Sequence, residues 1–406
     1  MGKKGRTGVL LGLCLLLVSF YAQGAGLKIK PSLNISSEYN TNINLSADDK
    51  ESSWITYVRP GLSIQAPLEN FYAELSYMPT FAYFSKDKDY NYKADLAKGV
   101  LRYNIGPRFS IGIKDDYEET ALPDKSRVEN EGRVYRKNTA SAALKYQVEN
   151  NWSVEMGYKV DRFKDPTDDP FADYKGHTTY LKLKNNFSPR TYLAINPSVR
   201  KRDFKDSEAK DYDSLSLGLE LGHKLSDVWK LKIAPSWEYR NYTEAERDTV
   251  KNVDWNVNLT AKSGKGKLSF DYSKSIQDTF RDKYAGVAFY NYSELRTLET
   301  NYRYATVERV GVNYDYKLSK LFKINLGTFY QRNVYPDEIV LTNDKLADRD
   351  ERWRSNFYVY QAGFDYRLSK WVSVGITYRY VNVKNKPGDD FHYSTVAGGL
   401  KASVSF

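Results

Sequence analysis

The chain is poor in the residues from which cross-linked or reactive sites are built. Its 406 residues include one cysteine, three histidines and three methionines. The cysteine, Cys14, lies in an apolar run from Val9 to Tyr21, preceded by Lys3, Lys4 and Arg6 and followed by Ala22-Gln23-Gly24-Ala25. A basic start, a short apolar core and small residues mark a secretory signal peptide, so residues 1–25 are expected to be removed and 26–406 to form the mature domain. Bulky Leu13 and Leu15 flank Cys14 and argue against lipid attachment there. Without Cys14 the mature chain has no disulfide framework, no cysteine zinc site and no CxxCH haem attachment. No other apolar run approaches the length of a transmembrane helix. Walker A and dinucleotide-binding glycine loops are missing too, and no cofactor is expected.

What the chain has in abundance is tyrosine, 35 residues, within an aromatic content of 15%. Its mean hydropathy is −0.65 and its net charge +10. The basic bias is modest and spread along the chain, which gives no nucleic-acid footprint. A transmembrane barrel reconciles polar composition with aromatic abundance, because only alternate residues meet lipid and aromatic girdles mark both interfaces.

One pattern recurs along the chain. Trp54, Val58, Leu62 and Ile64 share one parity, with Tyr57, Arg59, Ser63 and Gln65 on the other. Leu68-Glu69-Asn70 then turns the chain, and Phe71, Ala73, Leu75, Tyr77, Phe81 and Tyr83 resume the alternation. This is a hairpin with a tight turn. Similar turns fall at Gly106-Pro107-Arg108, Glu149-Asn150-Asn151, Ser188-Pro189-Arg190, Ser226-Asp227, Gly264-Lys265-Gly266, Ser319-Lys320 and Ser369-Lys370. Tyr-Lys-Leu-Ser-Lys-Leu-Phe at 316–322 matches Tyr-Arg-Leu-Ser-Lys-Trp-Val at 366–372, with a looser copy at 223–229. The hairpins are related units.

The connectors between hairpins are longer and charged: 40–52, 85–91, 118–135, 161–175, 204–211, 243–251, 274–298, 331–352 and 382–390. Short turns alternating with long loops are the asymmetry of outer-membrane barrels, whereas a β-helix or propeller would repeat at a fixed period. The segments amount to an all-β, antiparallel up-and-down barrel of about 18 strands. Leu27 to Tyr39 is expected to pair with the last strand, since hydrocarbon tolerates no open sheet edge. Pro60, Pro79, Pro197 and Pro235 fall inside strand patterns and predict bulges or strand boundaries there.

The alternation predicts two faces. Leu215, Leu217, Leu219, Leu221, Trp229, Leu231, Ile233, Trp237, Val372, Val374, Ile376, Tyr378 and Tyr380 would meet lipid. The opposite face carries the basic candidates Arg59, Lys98, Arg102, Lys145, Lys182, Arg200, Lys232, Arg309 and Arg379, interleaved with fewer acids such as Glu74, Glu155, Glu220 and Glu238. Barrels of this size leave an aqueous channel, and Lys or Arg lining it favours anions. Charges that pair across the lumen and merely solvate it are the competing reading of any single residue. Tyr57, Tyr72, Tyr180 and Tyr192 share this face and are candidates for stacking on sugar rings. The acidic stretch Asp165, Asp168, Asp169 and Asp173 is a candidate Ca²⁺ bridge to lipopolysaccharide, without the spacing or glycine of an EF-hand loop.

The chain closes on an alternating strand, with Val396, Leu400, Ala402, Val404 and Phe406 on one face and Thr395, Lys401, Ser403 and Ser405 on the other. This resembles the C-terminal signal of bacterial outer-membrane barrels, which implies that the barrel-assembly machinery reads Phe406. The start of the mature chain, Asn34 to Leu45 with its Tyr39-Asn40-Thr41-Asn42 element, followed by Ile55 to Leu62 with Pro60-Gly61, is similar to the opening of the putative β-barrel porin 2 family. That resemblance implies a channel in the outer membrane of a Gram-negative bacterium, set among lipid and lipopolysaccharide. It also implies export of exopolysaccharide or capsule, with periplasmic export components as partners, and brings no catalytic residues. A general or anion-selective porin for small solutes is the alternative. An electron-conduit barrel around a partner's haems and an outer-membrane enzyme stay open. An enzyme would have to draw on His177, His223 and His392.

Overall fold

The computed structural model describes residues 26–44, 48–86, 88–120, 135–164, 173–205, 211–243, 249–278, 304–334, 354–386 and 392–405. The strands are β1 (Lys28–Asn40), β2 (Ser53–Pro67), β3 (Phe71–Phe84), β4 (Tyr92–Ile105), β5 (Phe109–Thr120), β6 (Tyr135–Gln147), β7 (Trp152–Lys164), β8 (Tyr174–Ser188) and β9 (Thr191–Phe204). They continue as β10 (Tyr212–Lys224), β11 (Trp229–Tyr242), β12 (Thr249–Ser263), β13 (Gly266–Asp278), β14 (Tyr304–Lys317), β15 (Phe322–Val334), β16 (Arg354–Arg367), β17 (Val372–Lys386) and β18 (Tyr393–Ser405). All belong to one 18-stranded antiparallel sheet, each strand paired to its sequence neighbours. The sheet closes where β1 pairs with β18, from Ser32↔Ser405 to Asn40↔Ala397. The expected strand number, pairing and closure are therefore present. Residues 1–25, Phe406 and Asp165, Asp168 and Asp169 lie outside the described residues.

The short turns have a local chemical cause. Ser226 Oγ accepts hydrogen bonds from the Val228 and Trp229 amides at 3.2 and 3.1 Å. Ser319 Oγ does the same for Leu321 and Phe322, both at 3.1 Å, and Ser369 Oγ for Trp371 and Val372, both at 3.1 Å. Ser188 serves Arg190 and Thr191. A serine hydroxyl that caps two turn amides satisfies donors the ladder cannot reach, which is why the Leu-Ser repeat marks the turns. Elsewhere glycine does the work: Gly106 and Gly264 have φ of 65° and 49°, open to glycine at no steric cost.

The prolines behave differently from expectation. None of Pro60, Pro79, Pro197 and Pro235 sits at a bulge or a strand boundary. Pro60 and Pro79 stand opposite one another, and the β2–β3 pairing lapses between Val58↔Phe81 and Leu62↔Tyr77 with its offset unchanged. On their other sides both are paired, as Leu33↔Pro60 and Pro79↔Asp95. Pro197 and Pro235 likewise interrupt one ladder each, against β8 and β10, while staying in register with Leu217 and Trp255. A missing N–H removes a bond on one side only, and the neighbouring bonds hold the register. The register shift the structure does show, among the described residues, is at Asn186/Ser188. The strands also run further into the expected loops than the sequence implies, β13 to Asp278 and β15 to Val334. Polar residues there continue the ladder beyond the apolar band.

Residues opposite one another in an antiparallel pair share a face, so the register carries each face around the wall. Leu215, Leu217, Leu219 and Leu221 are all exposed, as are Trp229, Trp237, Ile376 and Tyr378. Through Leu217↔Trp237 and Ile376↔Leu400 this face runs as a continuous apolar belt. Aromatic pairs flank it at both ends: Tyr39–Trp54 and Tyr330–Tyr358 toward the long loops, at 5.5 and 5.1 Å, and Phe322–Tyr366 toward the turns, at 4.5 Å. Large exposed apolar surface of this extent is stable only against lipid.

The two faces make a direct test. Leu217→Arg, in the middle of the apolar belt, is expected to lower unfolding stability in lipid vesicles by about 2–4 kcal/mol. Asn256→Arg, at similar height on the opposite face, should cost less than about 1 kcal/mol. Urea titration followed by tryptophan fluorescence separates the outcomes, and equal costs would contradict the face assignment.

Candidate functional site

The polar inner face is organised in tiers. Toward the turns, Glu220 is a hub: Lys232 Nζ lies 3.0 Å from its Oε2, Lys182 Nζ 3.5 Å from its Oε1, and the Tyr192 hydroxyl donates to Oε1 at 2.9 Å. Lys184 Nζ sits 4.1 Å from the Tyr192 ring centroid. Tyr180 donates to Glu155 at 3.1 Å and Tyr72 to Glu74 at 2.7 Å, and at the long-loop end Tyr57 donates to Glu38 at 3.1 Å. Every tyrosine singled out on this face thus has its hydroxyl committed to a carboxylate.

Two of these rings lie over glycines. A Cβ on Gly222 would collide with the Tyr192 ring, and one on Gly157 with the Tyr180 ring. These are cross-strand pairs, Gly222↔Tyr192 and Gly157↔Tyr180, so the ring folds back across the neighbouring strand where no side chain obstructs it. Such a fit is specific. Gly222→Val should lower unfolding stability by about 1–3 kcal/mol through overpacking. The penalty should shrink in a Tyr192→Ala background, and a double-mutant cycle by urea unfolding measures the difference.

Toward the long loops the face becomes aromatic and buried. Phe163, Tyr174, Phe204, Tyr212 and Tyr242 form one cluster. Arg202 Nη2 lies 2.7 Å from Asp161 Oδ2, and its guanidinium carbon stands 4.1 Å from the Tyr174 centroid. Arg240 Nε lies 2.8 Å from Glu238 Oε1, with its guanidinium 4.7 Å from Tyr212. Arg240 is only 2% exposed, so it belongs to the packed wall rather than to a solvent path. Guanidinium groups stacked on rings and held by carboxylates are matched pairs, which lowers the cost of their burial.

The basic candidates read from the sequence are all on the same face as these groups, by register with Glu220, Ser36 and their neighbours, and they are distributed around it rather than gathered. Lys182 and Lys232 meet at Glu220. Arg59 donates to Ser36 Oγ at 3.1 Å and lies 4.5 Å from the Tyr57 ring. Arg200 donates to Thr178 at 3.4 Å, and Arg309 stacks on Phe329 at 3.8 Å. Lys145 stands opposite Glu155, Lys98 opposite Asp116, Arg102 opposite Tyr72, and Arg379 opposite Gln361. Sequence reading missed how the carboxylates are shared with tyrosines. It also missed that Lys224, Lys262, Lys267 and Lys317 join Lys230 and Lys323 at the turn-side rim. The symmetric placement of lysines about each turn was the available signal.

His177 and His223 bond separate partners. His177 Nδ1 pairs with the Tyr158 hydroxyl on the outer face, and His223 Nδ1 lies 2.8 Å from Thr191 Oγ1. Among the described residues no cluster of His, Cys, Asp and Glu is arranged to hold a metal ion.

A closed 18-stranded antiparallel barrel with an apolar outer belt, aromatic girdles and a charged inner face is an outer-membrane β-barrel of the porin class. The chain belongs to the family described as "Putative beta-barrel porin 2", which matches residues 26–293. Its fold is shared by Pseudomonas aeruginosa OccK2 (OpdF), with 13% identity, a TM-score of 0.52 and coverage of 93% of this chain and 98% of that one. P. aeruginosa OpdK, in a crystal structure with vanillate, aligns with a TM-score of 0.50 and 11% identity over 93% of this chain and 99% of that one. OccK2 in complex with glucuronate gives 0.50 and 12% over 94% and 97%. No curated protein matches the chain. The protein is thus a porin of the Gram-negative outer membrane, and family and fold are those of channels rather than enzymes.

Proposed function

We propose that the barrel is a diffusion channel for small anionic solutes. The observation that carries this reading is the excess of Lys and Arg over Asp and Glu on the inner face, concentrated in the turn-side half around Lys145, Lys182, Lys184, Lys230 and Lys232. Fixed cations in an aqueous channel raise the local anion concentration within a Debye length, about 10 Å at 0.1 M salt. Glu220 and Glu155 offset part of that charge, so the preference is graded rather than absolute. Vanillate and glucuronate, found with structures of the same fold, each bear a carboxylate, which supports small carboxylates as the solute class.

Polysaccharide export, the expectation drawn from the family resemblance, receives less support than the small-solute reading. The periplasmic export partners belong to that reading alone, whereas the reading of Phe406 by the assembly machinery and the removal of residues 1–25 remain part of the proposal. In this reading the inner tyrosines are wall elements first, since their hydroxyls are already bound to Glu38, Glu74, Glu155 and Glu220.

Planar-bilayer recordings in a salt gradient test the channel. Wild-type protein should show a reversal potential of the sign expected for anion preference, diminishing as salt rises. Replacing Arg102, Lys182, Arg200 and Lys232 together with Ser leaves Glu220 without its lysines and should move the potential toward cations. A cation-preferring wild type, or an unchanged quadruple variant, would overturn the reading.

A further inference from the structure

The turn-side rim breaks a rule that the rest of the inner face respects: it sets like charges directly opposite one another, as the outer face does only near the long loops, at Arg136↔Lys164, Arg162↔Lys175 and Arg354↔Lys386. Lys224 stands directly opposite Lys230, Lys262 opposite Lys267, and Lys317 opposite Lys323. These pairs crown three consecutive hairpins, β10/β11, β12/β13 and β14/β15. Like charges directly opposite one another in an antiparallel pair are destabilising, with Cβ atoms only about 4.5–5.5 Å apart.

Compensation is thin. Asp315 lies 3.2 Å from Lys323 and faces Lys267 across β13 and β14, Asp365 faces Lys323 across β15 and β16 but is paired with Lys401, and Asp227 in the β10/β11 turn is paired with Arg190, so the lysines outnumber the carboxylates among them. Lys224, Lys230, Lys262, Lys267 and Lys317 are exposed and form no salt bridge among the described residues. Lys265, in the turn between β12 and β13, adds a further cation and donates to the Leu318 carbonyl at 3.3 Å. Elsewhere on the inner face several lysines are paired with carboxylates, Lys182 and Lys232 at Glu220 and Lys401 at Asp365, while Lys30 donates to Gln65 and Lys184 stacks on Tyr192. A repeated departure from local consistency that is only partly compensated is where function is expected.

We propose that this arc of opposed lysines is a binding site for polyvalent oxyanions, solutes bearing several phosphate or carboxylate groups, at the periplasmic mouth. Short turns face the periplasm in barrels of this kind, which sets the side. The arc covers five interstrand steps of about 4.8 Å, or roughly 24 Å, so it accommodates an extended polyanion or several compact ones. A multivalent anion placed between two opposed ammonium groups replaces repulsion with two attractions. A monovalent ion cannot do so without leaving one lysine unmatched. The site stands on the register and on charge, independently of whether the pore discriminates between small ions.

The test therefore reads stability rather than current. Pyrophosphate should raise the unfolding midpoint of the full-length barrel in detergent well above NaCl at equal ionic strength. The triple variant Lys230→Gln, Lys267→Gln, Lys317→Gln, which removes one lysine from each pair, should start from a higher midpoint because the repulsion is relieved. It should then respond to pyrophosphate no more than to NaCl. The corresponding Lys→Arg triple variant keeps the charges and should keep the response. Isothermal titration of wild-type protein gives a second measurement that needs no variant: saturable pyrophosphate binding, roughly tenfold or more tighter than that of chloride. An equal effect of pyrophosphate and NaCl on wild type, an undiminished response in the Gln variant, or a titration without saturation would overturn the site. None of these outcomes bears on the reversal potential, so the two proposals fail separately.

Discussion

Backbone hydrogen bonding in hydrocarbon is the constraint on which the whole structure depends. Water is absent there, so each N–H and C=O must find a partner within the wall, and an antiparallel sheet can meet that demand only by closing on itself. The β1–β18 ladder is what completes the circuit. Everything else follows from closure. Antiparallel neighbours force short and long connections to opposite ends, and the pleat divides every strand into a lipid side and a water side. The prolines show how much the arrangement tolerates. Pro60 and Pro79 face each other across a lapse in the ladder, yet the pairing on either side keeps its offset, because register is fixed by the many bonds that remain rather than by any one.

The water side is where the sequence has freedom, and it is used unevenly. Near the long loops the inner face is packed, with Arg202 and Arg240 sandwiched among tyrosines and held by Asp161 and Glu238. Near the turns it is open and charged, with lysines around Glu220 and at the rim. One end of the wall is thus built as a core and the other as an electrolyte-facing surface. The asymmetry parallels that of the connections, long at the packed end and short at the open one.

Much of this was legible in the sequence because a period of two is a strong signal and the turns are chemically marked. Ser226, Ser319 and Ser369 announce themselves as repeated Leu-Ser motifs, and each proves to cap two turn amides. Once the turns are located, parity alone assigns Arg59, Lys182 or Arg309 to a face. What parity cannot supply is the partner across the strand. That Tyr192 bonds Glu220 and covers Gly222, or that Lys262 faces Lys267, depends on register between strands, and register requires the exact turn geometry. The prolines depart from expectation for a related reason: a lost donor demands no distortion where a closed ladder absorbs the loss on one side. Strand ends were placed too short because charged residues beyond the apolar band look like loop, although nothing in the ladder itself requires them to leave it.

The tyrosines that lie over glycines have a consequence for the bore. A ring projecting from the wall of a barrel narrows the water-filled cross-section, and conductance falls with it. Gly157 and Gly222 let Tyr180 and Tyr192 lie flat against the neighbouring strands, with their hydroxyls anchored on Glu155 and Glu220. The rings then act as tiling rather than as baffles: they bridge adjoining staves and shield the strand at its barest points instead of standing out from the wall. A chain this rich in tyrosine can thereby line its interior with aromatic surface while taking little of the cross-section at Gly157 and Gly222.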